Sequence, residues 1–171
     1  MTDTLTITPA TAADIPALKA LLEAAYRGDS ARAGWNHEAD ILGDERVTRE
    51  ELGALMADPA VTILTARDGA DMIGCVAVTC KDSALGYLGM LCVSPALQSA
   101  GLGRRLLDAA EHHAREAGIA AMEMTVIDSR ASLIAWYERR GYVFTGETRP
   151  FPVLRDPPVT FVVLEKRLGA A

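Results

Sequence analysis

The chain has 171 residues, of which half are hydrophobic and 23% are charged. This length is enough for one domain with a hydrophobic core, and the composition is that of a globular protein rather than a disordered one. The formal net charge of −6 argues against broad nucleic-acid binding, which needs a basic surface, and is compatible with a positively charged ligand.

Membrane and metal sites are not expected from the sequence. No apolar run reaches the roughly 20 residues needed to span a bilayer, and the first residues lack the basic and apolar regions of a signal peptide. Cys75, Cys80 and Cys92 have no metal-type spacing, so we expect free thiols, which are typical of a reducing cytoplasm. We therefore expect a cytoplasmic protein without a bound metal.

Hydrophobic periodicity predicts alternating strands and helices. The predicted strands cover residues 5–8, 61–66, 72–79, 85–93, 121–127, 142–144 and 159–168. The predicted helices cover residues 11–26, 48–57 and 102–117, with a fourth that Asp128 or Ser129 caps and Gly141 ends. Thr48 and Glu51 have capping-box spacing at the start of the second helix. This order predicts one domain, residues 1–171, with a mixed α/β sheet.

The most informative stretch is residues 91–105, where a strand, a glycine-containing turn and a helix follow each other. The apolar stripe of that helix is predicted to be Leu102, Leu106, Leu107, Ala110, Ala114 and Ala117. The first turn of a helix has N–H groups without intrahelical partners and a partial positive charge, to which Arg104 and Arg105 add. Gly101 and Gly103 would let a bulky anion approach the backbone. These features indicate a phosphate site, most simply one for a pyrophosphate.

The glycines alone leave other interpretations open. A tight turn between strand and helix needs glycine as well. A P-loop is excluded because no Gly-Lys-Ser/Thr follows, and a dinucleotide fingerprint would need a third spaced glycine.

The full pattern is more specific than its glycines. Gln98-x-x-Gly101-x-Gly103-Arg104, after a strand that ends at 91–93, closely resembles the acetyl-coenzyme A loop of the GCN5-related N-acetyltransferases, the GNAT family. Residues 129–142 resemble the second landmark of that family, a helix that ends in Tyr, charged residues, Gly and an aromatic residue. The resemblance covers nearly the whole chain in the right element order. It implies a mostly antiparallel central sheet flanked by helices.

The resemblance also implies a reaction, in which an acetyl group moves from acetyl-CoA to an amine without a covalent enzyme intermediate. The backbone of the strand would pair with the pantetheine amides, and an N–H near Leu91 would stabilise the tetrahedral oxyanion. The implied cofactor-binding residues are Leu91, Cys92, Val93, Gln98, Ser99, Ala100, Gly101, Leu102, Gly103 and Arg104. Cys92 could instead act as a nucleophile, although a thiol that only packs is the simpler interpretation.

Acid and base are assigned by the same resemblance. Tyr137 matches the family's usual general acid, and a phenol with a pKa near 10 is protonated at neutral pH. The alternative is a core tyrosine. Many family members use a Glu on the strand before the loop as base, but residues 85–93 contain no acid. Glu123 or Glu38 could serve instead, as could a water relay without any single base.

Arg130 stands where the family often has an Asn that contacts the pantetheine arm. It is seven residues before Tyr137, about two helical turns, so the two would share a face. Arg130 could bind the cofactor, bind an acidic group of the substrate, or simply be exposed at the helix start.

The acceptor is expected to be a small-molecule or protein amine. Trp35, His37 and Glu38 lie in the least regular segment, which borders the acceptor groove in the implied fold. Alternatively, Trp35 packs at the edge of the core while the other two are solvated. A homodimer through the late strands is suggested by family analogy alone. The sequence departs from the family pattern in the missing acid of residues 85–93 and in Arg130. A different class of function, a non-catalytic acyl-CoA-binding or sensor module, also fits these two departures.

Overall fold

A computed structural model describes residues 5–26, 47–82, 84–97, 101–150 and 158–169. The strands are β1 (Leu5–Pro9), β2 (Val61–Asp68), β3 (Asp71–Cys80), β4 (Leu85–Val93), β5 (Ala121–Ile127), β6 (Val143–Pro150) and β7 (Thr160–Arg167). The helices are α1 (Ile15–Tyr26), α2 (Arg49–Ala57), α3 (Leu102–Glu116) and α4 (Ala131–Glu138). The predicted mixed α/β fold and its order of elements are confirmed.

The strands of the described residues form a seven-stranded sheet in the order β1-β2-β3-β4-β5-β7-β6. All neighbouring strands pair antiparallel except β4 and β5, which are parallel. The predicted mostly antiparallel sheet is therefore correct.

The parallel pair at the centre of the sheet is short. β4 and β5 are in register only from Leu85↔Ala121 to Tyr87↔Glu123, although both strands continue beyond this point. Met90 has a φ of 55°, in the left-handed region that a non-glycine residue seldom adopts. The register between β3 and β4 also shifts here. The second half of β4 therefore leaves the ladder with β5 and pairs with β3 alone among the described strands.

Hydrophobic side chains cover both faces of the sheet. The larger cluster packs α3 on one face, with Leu106, Leu107 and Ala110 fully or almost fully buried. The smaller cluster packs α1 and α2 on the other, around Leu22 and Leu52. β4 supplies residues to both clusters, because alternate side chains of a strand point to opposite faces. None of the described helices is long and apolar enough to cross a membrane.

Two local predictions at helix ends need correction. Ala117, predicted to be on the buried stripe of α3, is exposed, because the helix ends at Glu116 and the chain turns away through Gly118, whose φ is 83°. Neither Asp128 nor Ser129 caps α4. Its N-cap is Arg130, which makes no side-chain capping bond. Asp128 is instead part of the turn after β5, where its N–H donates to Thr160 O at 2.9 Å.

The start of α2 confirms the predicted cap. The Glu51 N–H donates to Thr48 Oγ1 at 3.1 Å, and the Thr48 N–H donates to Glu51 Oε2 at 2.7 Å. Two N–H groups that the helix itself cannot satisfy thus gain partners. α1 begins differently from the prediction, since the turn at Ala12–Asp14 is a 3-10 helix and the α-helix starts at Ile15.

A buried carboxylate joins α3 to the late strands. Glu111 has a side chain that is only 4% exposed, and it accepts hydrogen bonds from Lys166 Nζ at 2.7 Å and from the Tyr142 hydroxyl at 3.1 Å. Burial and the Glu111 charge both raise the pKa of Tyr142, so this phenol stays protonated and serves as a donor. The network fixes Tyr142 directly after the end of α4.

We expect Glu111→Ala to lower the free energy of unfolding by about 2–3 kcal/mol, because the partners of the buried carboxylate lose their acceptor. Glu116→Ala, in the last turn of the same helix and exposed, is the control and should change it by less than about 0.5 kcal/mol. Urea denaturation of the three proteins measures both values. Equal losses in the two variants would contradict a stabilising role for the Glu111 network.

Candidate active site

A cavity of about 290 Å³ opens where β4 ends, between the start of α3 and the side of α4. Its lining residues are Leu91, Cys92, Val93, Leu97, Gly101, Gly103, Arg104, Ser132, Leu133, Trp136, Tyr137, Arg139 and Arg140. The two stretches that the sequence singles out, 91–105 and 129–142, therefore line one cavity. Within the described part of the chain, no Asp or Glu side chain lines it.

The start of α3 supplies backbone donors to this cavity. Gly101 is the N-cap residue and has a φ of 83° and a ψ of 2°, a left-handed conformation that favours glycine. The first intrahelical bond is donated by the Arg105 N–H to Gly101 O. The N–H groups of Leu102, Gly103 and Arg104 precede this bond and belong to the first turn, whose donors are left for an anion.

Gly103 lies where the start of α3 contacts α4 and the end of β4. A Cβ at this position would lie 3.7 Å from the Trp136 ring and 3.9 Å from Val93. The backbone of α3 is thus close to α4 on one side and to the end of β4 on the other.

Tyr137 is held firmly at the cavity wall. Its ring is 6% exposed and packs edge-on against Trp136, at 5.0 Å between centroids, and against Tyr142, at 5.8 Å. Its carbonyl accepts from the N–H groups of Arg140 and Tyr142, which anchors the end of α4. The side chain therefore has a fixed position in the cavity, as a proton donor to a bound thiolate would need.

Most of the predicted cofactor residues in the described part of the chain line the cavity. Leu102 does not, because its side chain is buried in the core cluster under α3. Arg130 also does not line it and lies at the N-cap of α4, half-buried. Three predicted loop residues (Gln98, Ser99, Ala100) and the three predicted substrate residues (Trp35, His37, Glu38) lie outside the described residues. The roles of all these residues stay predictions.

Glu123 lies on β5 opposite Tyr87, away from the cavity lining. It is buried and accepts from Lys81 Nζ at 2.8 Å and from Arg149 Nη2 at 3.1 Å. Burial alone would raise the pKa of Glu123, but the hydrogen bonds and charges of Lys81 and Arg149 outweigh it and hold the pKa below its ordinary value. A general base works best with a pKa near the working pH. This geometry favours a fixed anion, and the role of Glu123 as base stays a prediction.

The thiols and His112 have no arrangement that indicates a metal site or a disulfide among the described residues. Cys75, Cys80 and Cys92 form no disulfide among the described residues, and the sulfur of Cys92 lies 3.5 Å from that of Cys75 across the β3–β4 pair. His112 is exposed and 3.3 Å from the Glu116 carboxylate. In the described ranges, no group of three or more His, Cys, Asp or Glu is arranged to hold a metal ion.

Six lining residues were not predicted as site residues, namely Leu97, Ser132, Leu133, Trp136, Arg139 and Arg140. Arg140 stacks on the Trp136 ring, with its Cζ 3.8 Å from the ring centroid, and its Nη1 donates to Trp136 O at 2.8 Å. The signal for this contact was present in the sequence, because residues four apart at the end of a helix lie one above the other.

Comparison with known proteins identifies the family. A sequence model described as "Acetyltransferase (GNAT) domain" matches residues 31–156. The chain therefore belongs to the GNAT acetyltransferase family, and the predicted class of enzyme, an N-acetyltransferase, is confirmed at this level.

The individual relatives have low sequence identity to this chain. The chain is 28% identical to an IAA acetyltransferase of Azospirillum brasilense over 127 residues, which make up 74% of this chain and 75% of that protein. Its fold is similar to the ribosomal-protein-S18-alanine N-acetyltransferase of Escherichia coli, with a TM-score of 0.77, 17% identity, and coverage of 98% of this chain and 96% of that chain. It is also similar to yncA of Salmonella typhimurium, solved with its cofactor acetyl-CoA, with a TM-score of 0.74, 20% identity, and coverage of 98% and 95%.

Proposed function

We propose that this protein transfers an acetyl group from acetyl-CoA to a primary amine by direct attack of the amine on the thioester. The observation that carries the proposal is the single cavity that the end of β4, the first turn of α3 and Tyr137 share. A diphosphate is suited to the first-turn N–H groups and Arg104, and the pantetheine arm to the half of β4 that has left the ladder with β5. The fold relative solved with acetyl-CoA supports this choice of cofactor.

The thioester would lie near Leu91, where a backbone N–H could stabilise the tetrahedral oxyanion. The thiol leaves as an anion and needs a proton. Tyr137 is the proposed donor, because its phenol is at the cavity wall and a phenol is close to a thiol in basicity.

A groove next to the cavity supports an amine as the acceptor. A groove between α1 and α2 is lined by Leu22, Leu55 and Met90, with the carboxylates of Glu51 and Asp58. Met90 and Leu91 are neighbours on β4, and they line the groove and the cavity respectively. Negative charge at this groove favours a cationic amine over an anionic acceptor. Deprotonation of the ammonium would proceed through water, because no Asp or Glu of the described residues lines the cavity beside Leu91.

The direct test is an assay for free CoA thiol, with acetyl-CoA and a panel of small primary amines and peptides that carry free amino groups. We expect turnover with at least one acceptor, and the mass of the acceptor should rise by about 42 Da, the mass of an added acetyl group. Binding of acetyl-CoA in calorimetry without turnover on any acceptor would favour the non-catalytic acyl-CoA-binding module. Absence of binding would overturn the assignment of the cavity.

A further inference from the structure

The cavity has a strongly basic side, of which the proposed diphosphate site uses only Arg104. Arg104 of α3 and Arg139 and Arg140, just after α4, all line it. The whole chain has a net charge of −6, yet the three arginines from two separate elements meet here. The proposed diphosphate site uses the first-turn N–H groups of α3 and Arg104, so Arg139 and Arg140 offer additional positive charge.

Arg140 is held in place by contacts that leave part of its hydrogen-bonding capacity unused. Its guanidinium lies 3.8 Å above the Trp136 ring centroid, and Nη1 donates to Trp136 O. Its Nε is buried and has no hydrogen-bond partner among the described residues. An unsatisfied buried donor costs roughly 1–3 kcal/mol, so such a group is uncommon unless something else compensates for it.

Charge repulsion adds to this cost. Burial lowers the pKa of Arg140, and the neighbouring charges of Arg104 and Arg139 lower it further. The carboxylate of Asp108, one helical turn after Arg104, acts in the opposite direction. In their effect on the pKa of Arg140, the charges of Arg104 and Arg139 thus outweigh that of Asp108. A bound anion would relieve this repulsion.

We propose that Arg140, together with Arg139, forms a second phosphate subsite beside Arg104 that binds the 3′-phosphate of the coenzyme. This inference rests on the proposed function, since it takes coenzyme A as the ligand. Coenzyme A has one phosphate monoester besides its diphosphate, with a charge near −2 at neutral pH. A planar guanidinium can bind such a group through two parallel N–H bonds, and stacking on Trp136 fixes its plane in advance.

The test compares coenzyme A with dephospho-coenzyme A, which lacks only the 3′-phosphate, by titration calorimetry at fixed salt. We expect the wild type to bind coenzyme A at least roughly 10-fold more tightly than dephospho-coenzyme A. In Arg140→Gln this ratio should fall to about 1–3, while Arg140→Lys, which keeps the charge without the planar fork, should give an intermediate ratio. Because each ratio compares two ligands on one protein, a partly unfolded variant does not distort it.

Arg167→Gln is the matched control, since it removes the same charge from an exposed position at the end of β7, and its ratio should equal that of the wild type. Arg139→Gln, at an exposed position, replaces Arg140→Gln if that variant does not fold. A wild-type ratio near 1, or an unchanged ratio in both arginine variants, would overturn the second subsite and leave the proposed function intact. Failure of the wild type to bind either ligand would overturn both.

Discussion

Replacement of Tyr137 by Phe is expected to lower the rate of acetyl transfer at least ~10-fold, the lower range for loss of a general acid. The ring of Tyr137 is fixed between Trp136 and Tyr142, and Phe retains that ring. The variant should therefore fold normally and bind acetyl-CoA with unchanged affinity. The leaving thiolate would have to take its proton from water, so the loss should fall on kcat rather than on cofactor binding.

Tyr142→Phe is the matched control for this experiment. Its ring contacts Tyr137, but its hydroxyl donates to Glu111 and its side chain is outside the cavity lining. This variant should lose about 1–2 kcal/mol of stability and keep its turnover. Thiol release, calorimetry with acetyl-CoA and urea denaturation measure the three quantities. Unchanged turnover in Tyr137→Phe, or an equal loss in both variants, would remove the Tyr137 hydroxyl from the mechanism.

The fold was largely predictable because its signals are local. Strand alternation, the apolar stripe of α3 and the capping box of Thr48 and Glu51 depend on residues a few positions apart, and each is found in the structure. The errors are at element ends. Ala117 matches the helical period, but the period alone does not tell where the helix stops, and Gly118 decides that.

The parts of the site that were not predictable depend on long-range contacts. Glu123 was considered as a base from its strand position alone. Its partners Lys81 and Arg149 are 42 and 26 residues away in sequence. Lys81 lies in the turn between β3 and β4 and Arg149 lies on β6, and the sheet order β3-β4-β5-β7-β6 brings both near β5. The separation of β4 from β5 after Tyr87 was not predictable either, because no pattern of neighbouring residues indicates where a parallel pair ends. Arg140 differs from Glu123, because its contact with Trp136 is between residues four apart in sequence. Only its position in the cavity depends on the fold.

The start of α3 allows a second sharp prediction, which concerns binding rather than chemistry. We expect Gly101→Ala to weaken acetyl-CoA binding at least ~10-fold. A Cβ at Gly101 would meet no atom of the described residues within 4 Å, so the substitution creates no clash with them. Its φ of 83° is costly for Ala, by about 1–2 kcal/mol, and relaxation to a negative φ would turn the first-turn N–H groups away from the diphosphate.

Gly69→Ala separates this effect from simple backbone strain. Gly69 lies in the turn between β2 and β3 and has a φ of 61°, and a Cβ there would likewise meet no described atom within 4 Å. The two variants should lose similar free energies of unfolding, because the same left-handed penalty applies to both. Only Gly101→Ala should lose affinity, since only its backbone directs donors into the cavity. Equal affinities for acetyl-CoA in the two variants, measured by calorimetry on fully folded protein, would mean that the N–H groups after Gly101 do not bind the diphosphate.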